Sequence, residues 1–249
     1  MLLNEQLAVS AKPRLSVRVA SEAQDIRRAQ KLRFDVFAGE MGAELASSDL
    51  GIDCDEYDEL CDHLIVEDAA SGLVVGTYRM LSPAMARRAP SLYSEHEFDL
   101  TRLAHLRAGL IEVGRSCVHR DFRSGAVIAL LWSGLADYVQ LHGGQYLAGC
   151  ASVSLSDGGH QAVSLYRQLE AKHLSPAEWR VFPHLPLPLD RVCDDAPSAP
   201  MPALIKGYLR AGAYICGEPA WDPDFNCADF FMLLPMGRLS SRYNKHFVG

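Results

Sequence analysis

Spanning a bilayer takes roughly 20 consecutive apolar residues, and no run in this chain of 249 residues comes near that. Nor does the stretch Met1 to Pro13, M-L-L-N-E-Q-L-A-V-S-A-K-P, join a basic segment to a long apolar core as an export signal does. Neither membrane insertion nor export is expected, and residues 1–14 read as a loosely held tail. A C-x-x-C pair is also missing. The seven cysteines (Cys54, Cys61, Cys117, Cys150, Cys193, Cys216 and Cys227) form an odd set that favours neither a zinc site nor a disulfide framework. Several sit in apolar strand-like runs, where a reduced cysteine packs as a small hydrophobe. No metal is expected, and a reducing cytoplasm fits. A basic excess is lacking too: the formal net charge is −7, which argues against general nucleic-acid binding. No repeat appears. With 49% hydrophobic and 22% charged residues, the chain has the composition of a soluble globular protein with ample core.

The charges that are present are unevenly spread. Between Asp49 and Asp68 acids dominate (Asp49, Asp53, Asp55, Glu56, Asp58, Glu59, Asp62, Glu67, Asp68) without one lysine or arginine. From Arg102 to Arg123 the balance reverses, with Arg102, Arg107, Arg115, Arg120 and Arg123 against Glu112 and Asp121. One acidic and one basic segment suit a cationic substrate and an anionic donor. Two solvated surface faces account for the pattern equally well.

Taken in order, Leu15 to Ala20 alternates as a short strand. Ser21-x-x-Gln24 matches a capping box, and the helix behind it runs to about Phe37, where Gly39 and Gly42 break it. The segment to Asp62 has little periodicity and is long for a plain connection. His63 to Glu67 and Leu73 to Leu81 form a hairpin, followed by an irregular region around Pro83, Pro90 and Phe98. Leu110 to Val118 is strand-like. A polar turn, His119 to Ser124, leads into a helix carrying Ala126, Val127, Leu130, Leu131, Leu135 and Val139 at helical spacing. Gln145 to Ser152 is a strand, and Ser156 to Gly159 opens a further helix through Leu169. Trp179 to Phe182 reads as a strand, and Pro183 to Asp190 is held extended by prolines. Asp194 to Pro202 is a short linker, Met201 to Ala211 a helix, and Tyr214 to Cys216 and Ala228 to Leu234 are strands. Hairpins and crossovers mix, so residues 15–236 are expected to form one α/β domain with a mixed, largely antiparallel central sheet flanked by helices. Residues 237–249, with Lys245 and His246, read as a basic tail.

The strand, glycine-bearing turn and helix from Gly109 to His142 leave backbone N–H groups and a positive helix end beside a strand end, which is an anion site. Spacing alone allows an ordinary connection equally well. The turn Arg123-Ser124-Gly125-Ala126, with Val118 before it, resembles motif A of the GCN5-related N-acetyltransferase (GNAT) superfamily; Arg120 and Ser124 stand where proline and glycine are usual. That resemblance implies that Val118, Arg123, Ser124, Gly125, Ala126 and Val127 hold the phosphate of a 4'-phosphopantetheine arm.

Arg33-x-x-x-Phe37, Asp55-Glu-Tyr-Asp58, Arg79 and Glu112-Val-Gly-Arg115 follow the order and spacing of the acyl-homoserine-lactone synthases, although Met41-Gly42 stands where those enzymes carry a tryptophan. Three phrases are more similar to the bacterial L-ornithine Nα-acyltransferase family. They are C-D-H-L-I-V (Cys61 to Val66), E-V-G-R-S-C-V-H (Glu112 to His119) and K-G-Y-L-R-A-G-A-Y-I-C-G-E-P-A-W-D-P-D-F-N (Lys206 to Asn226). This resemblance covers nearly the whole chain. It implies transfer of a 3-hydroxyacyl group from acyl carrier protein to the α-amine of ornithine, giving a lyso-ornithine lipid, with no resident cofactor. The acidic carrier is expected to dock on Arg87, Arg88, Arg102, Arg107, Arg120 and Arg123, and the greasy product makes a peripheral contact with the inner membrane compatible with a cytoplasmic enzyme. Another amino acid, a homoserine-lactone-type reaction, an acetyl-CoA donor, or a non-catalytic carrier-binding module remain as alternatives.

The acceptor is an ammonium at neutral pH and attacks a thioester only after losing a proton to a base. Glu112, an acid inside an apolar strand, is the first candidate, because burial raises a carboxyl pKa; a carboxylate neutralised by Arg79 or Arg115 for structure is its bland counterpart. His63 is the second, against a plain strand histidine. Asp55 and Asp58 either bind the acceptor's side-chain ammonium or are solvated loop acids. Arg33, Arg79 or Arg115 is expected to hold its carboxylate bidentately. Strict alternation points Glu112 and Arg115 to opposite faces. Only a β-bulge at Gly114 brings them together, and that bulge also splays the strand from its neighbour to admit a pantetheine arm.

Overall fold

The structure is a computed structural model that describes residues 14–191 and 201–238. The expected tail before Arg14, Cys193, the linker up to Pro200, and Lys245 and His246 lie outside the described residues. The elements run β1 (Leu15–Val19), α1 (Ala23–Phe37), β2 (Asp62–Asp68), β3 (Leu73–Leu81), α2 (Pro83–Ala86), β4 (Phe98–Asp99), β5 (Leu110–Val118), α3 (Ala126–Leu141), β6 (Tyr146–Ser154), α4 (His160–His173), β7 (Phe182–Pro183), α5 (Ala203–Ala211), β8 (Tyr214–Ile215), β9 (Ala220–Asp222) and β10 (Cys227–Pro235).

One sheet has the order β1-β2-β3-β5-β6-β10-β8, with β9 also on β10; β4 and β7 make a separate two-stranded ladder. Among the described strands only β5 and β6 pair in parallel, and the other strand pairs of the sheet are antiparallel. Strand alternation divides the core. Leu64 and Val66 of β2 pack with α3, α4 and α5 on one face, while Ile65 packs with Ala29, Leu32 and Val36 of α1 on the other. The α/β architecture agrees with the expectation from sequence.

Two irregularities shape the middle of the sheet. In the β3–β5 ladder Thr77 pairs with Cys117 but Arg79 pairs with Gly114, so β5 carries one extra residue there. That bulge is centred on Arg115, whose φ of 51° lies in the left-handed region; Gly114 is not among the residues with positive φ. Beyond Glu112↔Ala148 the parallel ladder stops. From there β5 follows β3 and β6 follows β10. Gly149 stands at the point of divergence, where a Cβ would lie 2.0 Å from the Val113 carbonyl oxygen.

Three local expectations are corrected. The helix α1 starts one residue later than a Ser21 cap requires: Glu22 is its N-cap without a side-chain hydrogen bond, and the Ser21 amide faces the Asp25 carboxylate at 3.4 Å. Trp179 belongs to a 3-10 turn, Ala177–Trp179, and the strand is only Phe182–Pro183, since proline has no N–H to extend a ladder. The long connection before β2 contains two 3-10 turns, Ser48–Leu50 and Glu56–Glu59.

Adding a methyl at the fork forces the strands apart against a rigid backbone. Gly149→Ala is expected to lower stability by about 1–3 kcal/mol, read as a lower urea midpoint with an unchanged slope.

Candidate active site

Glu112 lies on β5 at the last residue paired with β6, and its side chain is turned toward the α2–β4 connection. There Oε2 accepts from the Tyr93 amide at 2.7 Å and Oε1 from the Ser94 amide at 2.8 Å. The residue is 6% exposed. Burial pushes its carboxyl above the ordinary carboxylate value, and the two amides and Arg79 only partly offset this. The result is a carboxylate fixed in orientation by backbone donors and with raised proton affinity.

Beside it opens a cavity of about 480 Å³ lined by Glu112, Arg79, Arg115, Val118 and Arg123 among others. Its wall takes Val113 and Ser116 from one side of β5 and Glu112 from the other, together with Cys150 and Ser152 of β6. The cavity therefore passes through the gap where the two strands separate. The bulge puts Arg115 on the same cavity wall as Glu112, against strict alternation. Arg115 is held tightly: Nη1 donates to the Tyr93 hydroxyl at 3.0 Å, Nη2 to Asp55 at 3.3 Å, and Nε lies 3.2 Å from Asp53. Its guanidinium also stacks on the Tyr93 and Phe225 rings at 4.7 and 4.8 Å.

At the far end of β5 the turn reaches α3. Gly125, at φ 97°, is the N-cap, and no side chain caps the helix. The next crossover, β6 to α4, supplies an internal comparison, since its N-cap Gly159 also has positive φ. There Asp157, two residues before the glycine, accepts from the amides of Gly159 and Gln161 at 2.9 and 2.8 Å. At α3 the corresponding position is Arg123, a cation. One helix N-terminus carries its own anion and the other is left with a positive end at the cavity mouth. Ser124, Gly125 and Ala126 are exposed there, while Val127 is buried beneath them.

Other expected site residues stand behind this wall. Arg33 is 0% exposed. It donates from Nε to Asp53 at 2.7 Å and from Nη1 and Nη2 to Asp58, both at 2.8 Å. It fastens the acidic loop to α1 and does not line the cavity, which corrects its expected place. Asp58 is likewise buried; it takes Arg33 and also accepts from the Asp55 amide in a capping box. Asp55 receives Arg79 at 2.5 Å. His63 is 1% exposed, faces the Asp58 carbonyl at 3.1 Å and is absent from the cavity lining. Burial pushes its pKa down, so it is a neutral packed imidazole. The arginines expected to dock a carrier fall into two groups. Arg87, Arg88, Arg102 and Arg107 precede β5 in the chain and Arg120 and Arg123 follow it, and nine residues of strand place roughly 25 Å between the ends at Arg107 and Arg120. Arg107 meets Glu95 at 3.0 Å, and Arg123 meets Glu40 at 2.9 Å.

Sequence reasoning missed one part of the wall: Asp222 of β9 with Cys227 and Asp229 of β10. The signal was available, since Asp229 is an acid in an apolar strand just as Glu112 is.

Residues 32–133 match the acetyltransferase (GNAT) domain family. Two solved structures share the fold over most of their length. FeeM, an N-acyl amino acid synthase from uncultured soil microbes, has a TM-score of 0.53 at 13% identity, covering 93% of this chain and 96% of that one. The acyl-homoserine-lactone synthase LasI has a TM-score of 0.54 at 13% identity, covering 93% and 97%. Forked sheet and GNAT domain together define an acyltransferase of the GNAT class.

Sequence narrows this further. The L-ornithine Nα-acyltransferase of Brucella abortus is 36% identical over 94% of this chain and 88% of its own length. That of Rhodobacter capsulatus is 36% identical over 93% and 94%. The chain belongs to the L-ornithine Nα-acyltransferase family.

Arg33→Met strands two buried carboxylates, so a loss of about 3–5 kcal/mol is expected in chemical denaturation. Arg123→Asp copies the Asp157 arrangement onto α3 and places a carboxylate at the anion seat. Thermal stability is expected to hold, and the donor KM to rise at least tenfold in steady-state kinetics.

Proposed function

We propose that this enzyme transfers a 3-hydroxyacyl group from the 4'-phosphopantetheine of acyl carrier protein to the α-amine of L-ornithine, yielding a lyso-ornithine lipid. The observation that carries this reading is the slot between β5 and β6, which has an uncapped helix N-terminus at one end and a buried, amide-held carboxylate at the other. The relatives' activity on ornithine supports the acceptor.

In this reading the phosphate sits at the Arg123–Val127 turn and the pantetheine arm lies in the slot. The arm's thioester then reaches the level of Glu112. The α-ammonium of ornithine passes a proton to Glu112 and its nitrogen attacks the thioester carbonyl. The tetrahedral adduct collapses as its nitrogen gives up a second proton to the departing sulfur; the C–S bond breaks, the carrier leaves as a thiol, and Glu112 releases the first proton to solvent. Arg79 and Arg115, on the same wall, hold the acceptor carboxylate. The exposed Arg120 and Arg123 at the cavity mouth receive the acidic carrier, an attraction that salt weakens. The chain works in the cytoplasm with peripheral contact at the membrane that takes its product. Among the described residues no helix is long and apolar enough to cross one.

Incubating the protein with 3-hydroxyacyl carrier protein, or the coenzyme A thioester, and single amino acids tests this by mass spectrometry. Acylated ornithine from the carrier-borne donor is the expected product; acylation of other amines alone rules the acceptor out. Glu112→Gln is expected to lose ~10²–10⁴-fold in kcat while carrier binding persists. The base works only when ionised, so wild-type kcat/KM should rise with pH through the elevated Glu112 pKa, and the variant should lack that limb.

A further inference from the structure

Among the described residues, most buried and half-buried carboxylates are matched to arginines: Asp25, Asp53, Asp55, Asp58 and Glu67 each have one within ion-pair distance. Asp68 is held instead by Ser71 and Glu112 by two backbone amides. A further unmatched group stands at the far end of the cavity. Asp222 and Asp229 line it and are 7% and 5% exposed, and Glu97 lies close enough to feel both charges. Neither lysine nor arginine forms an ion pair with any of the three among the described residues. Asp222 accepts on Oδ1 from the amides of Asp224 and Phe225 at 2.9 and 3.0 Å, and its Oδ2 has no hydrogen-bond partner among the described residues. Among those residues Asp229 has only the Cys227 thiol at 3.6 Å and the Ser152 hydroxyl.

Leaving such carboxylates unmatched in a desolvated wall is costly. Burial, with mutual repulsion, pushes Glu97 up to about 7 and Asp229 up to about 6. A ligand cation relieves both effects. Asp55 and Asp58, by contrast, are already neutralised by Arg33, Arg79 and Arg115 and have little charge left for a substrate.

We propose that Asp222 and Asp229, with Glu97 beside them, bind the side-chain ammonium of the acceptor and set the preference for a diamino acid. This rests on the acceptor reading above. The two ends of the substrate have a common wall in β6. Its Ala148 pairs with Glu112 and its Ser152 with Asp229. Between them Cys150 lies 3.6 Å from the Ser94 hydroxyl, on the residue whose amide holds Glu112. Four residues of strand span roughly 13 Å, which the two acid side chains shorten from either end. An organic ammonium fits better than a metal ion. Ligand atoms of Asp222, Cys227 and Asp229 do lie within 4.8 Å of one another. Burial and the two carboxylates nevertheless push the Cys227 thiol up, so it keeps its proton and donates to Asp229 rather than serving as a thiolate ligand.

The test compares ornithine with norvaline, its isostere lacking the side-chain amine, in acyl-transfer kinetics of the full chain. Wild type is expected to favour ornithine. In Asp229→Asn and Asp222→Asn the ratio of kcat/KM for ornithine over norvaline should fall at least tenfold, mainly through KM for ornithine. Glu97→Gln, on a separate segment, gives the same reading should an aspartate variant fail to fold. An unchanged ratio in these variants overturns the proposal, as does a collapse in Asp55→Asn alone. So does saturable Zn²⁺ binding to wild type, measured by calorimetry and abolished in Asp229→Asn. Wild type that never acylates ornithine removes the acceptor reading instead, a result distinct from all of these.

Discussion

Everything at this site depends on two parallel strands that part company. Where β5 and β6 stop sharing hydrogen bonds after Glu112 and Ala148, their inward-facing backbone groups have no ladder partner across the gap. The opening persists because each strand has a firm partner on its other side, β3 for β5 and β10 for β6. The bulge at Arg115 bends β5 away, and Gly149 lets the strands stay close until they divide. A channel through the middle of the sheet follows from those features, and the residues lining it come from both faces.

Electrostatics then sorts the acids into two kinds. Those around Arg33 are neutralised and hold the acidic loop against α1, so removing one partner weakens the fold. Glu112, Asp222 and Asp229 face the cavity with raised proton affinity, and Glu97, near the two aspartates, shares it. Glu112 takes one backbone donor on each oxygen, which fixes its direction without cancelling its charge, whereas both amides at Asp222 go to Oδ1. The same contrast recurs at the helix starts, where Asp157 answers the positive end of α4 while α3 has none of its own. Charge left unmatched thus sets these surfaces apart from the neutralised acidic loop.

Much of the fold was legible beforehand because hydrophobic periodicity is a local property. α1, β2, β3, β5 and α3 all emerged close to the expected spans. Glu112 was legible as well, since an acid in an apolar strand violates the pattern around it. The same violation at Asp229, just past the phrase ending at Asn226, passed unnoticed. Asp55 and Asp58 drew attention by their number in an acidic run. Their real partners, Arg33, Arg79 and Arg115, lie 20 or more residues away and meet them only through folding.

By itself, then, the sequence determined the order of elements, the glycine-bearing turn before α3 and the family, because these are written in spacing and in continuous phrases. Tertiary structure decided which acids remain unmatched, that Arg115 shares a wall with Glu112, and that Arg33 and His63 stand behind it. Those are questions of distance between segments far apart along the chain, and no local pattern encodes them.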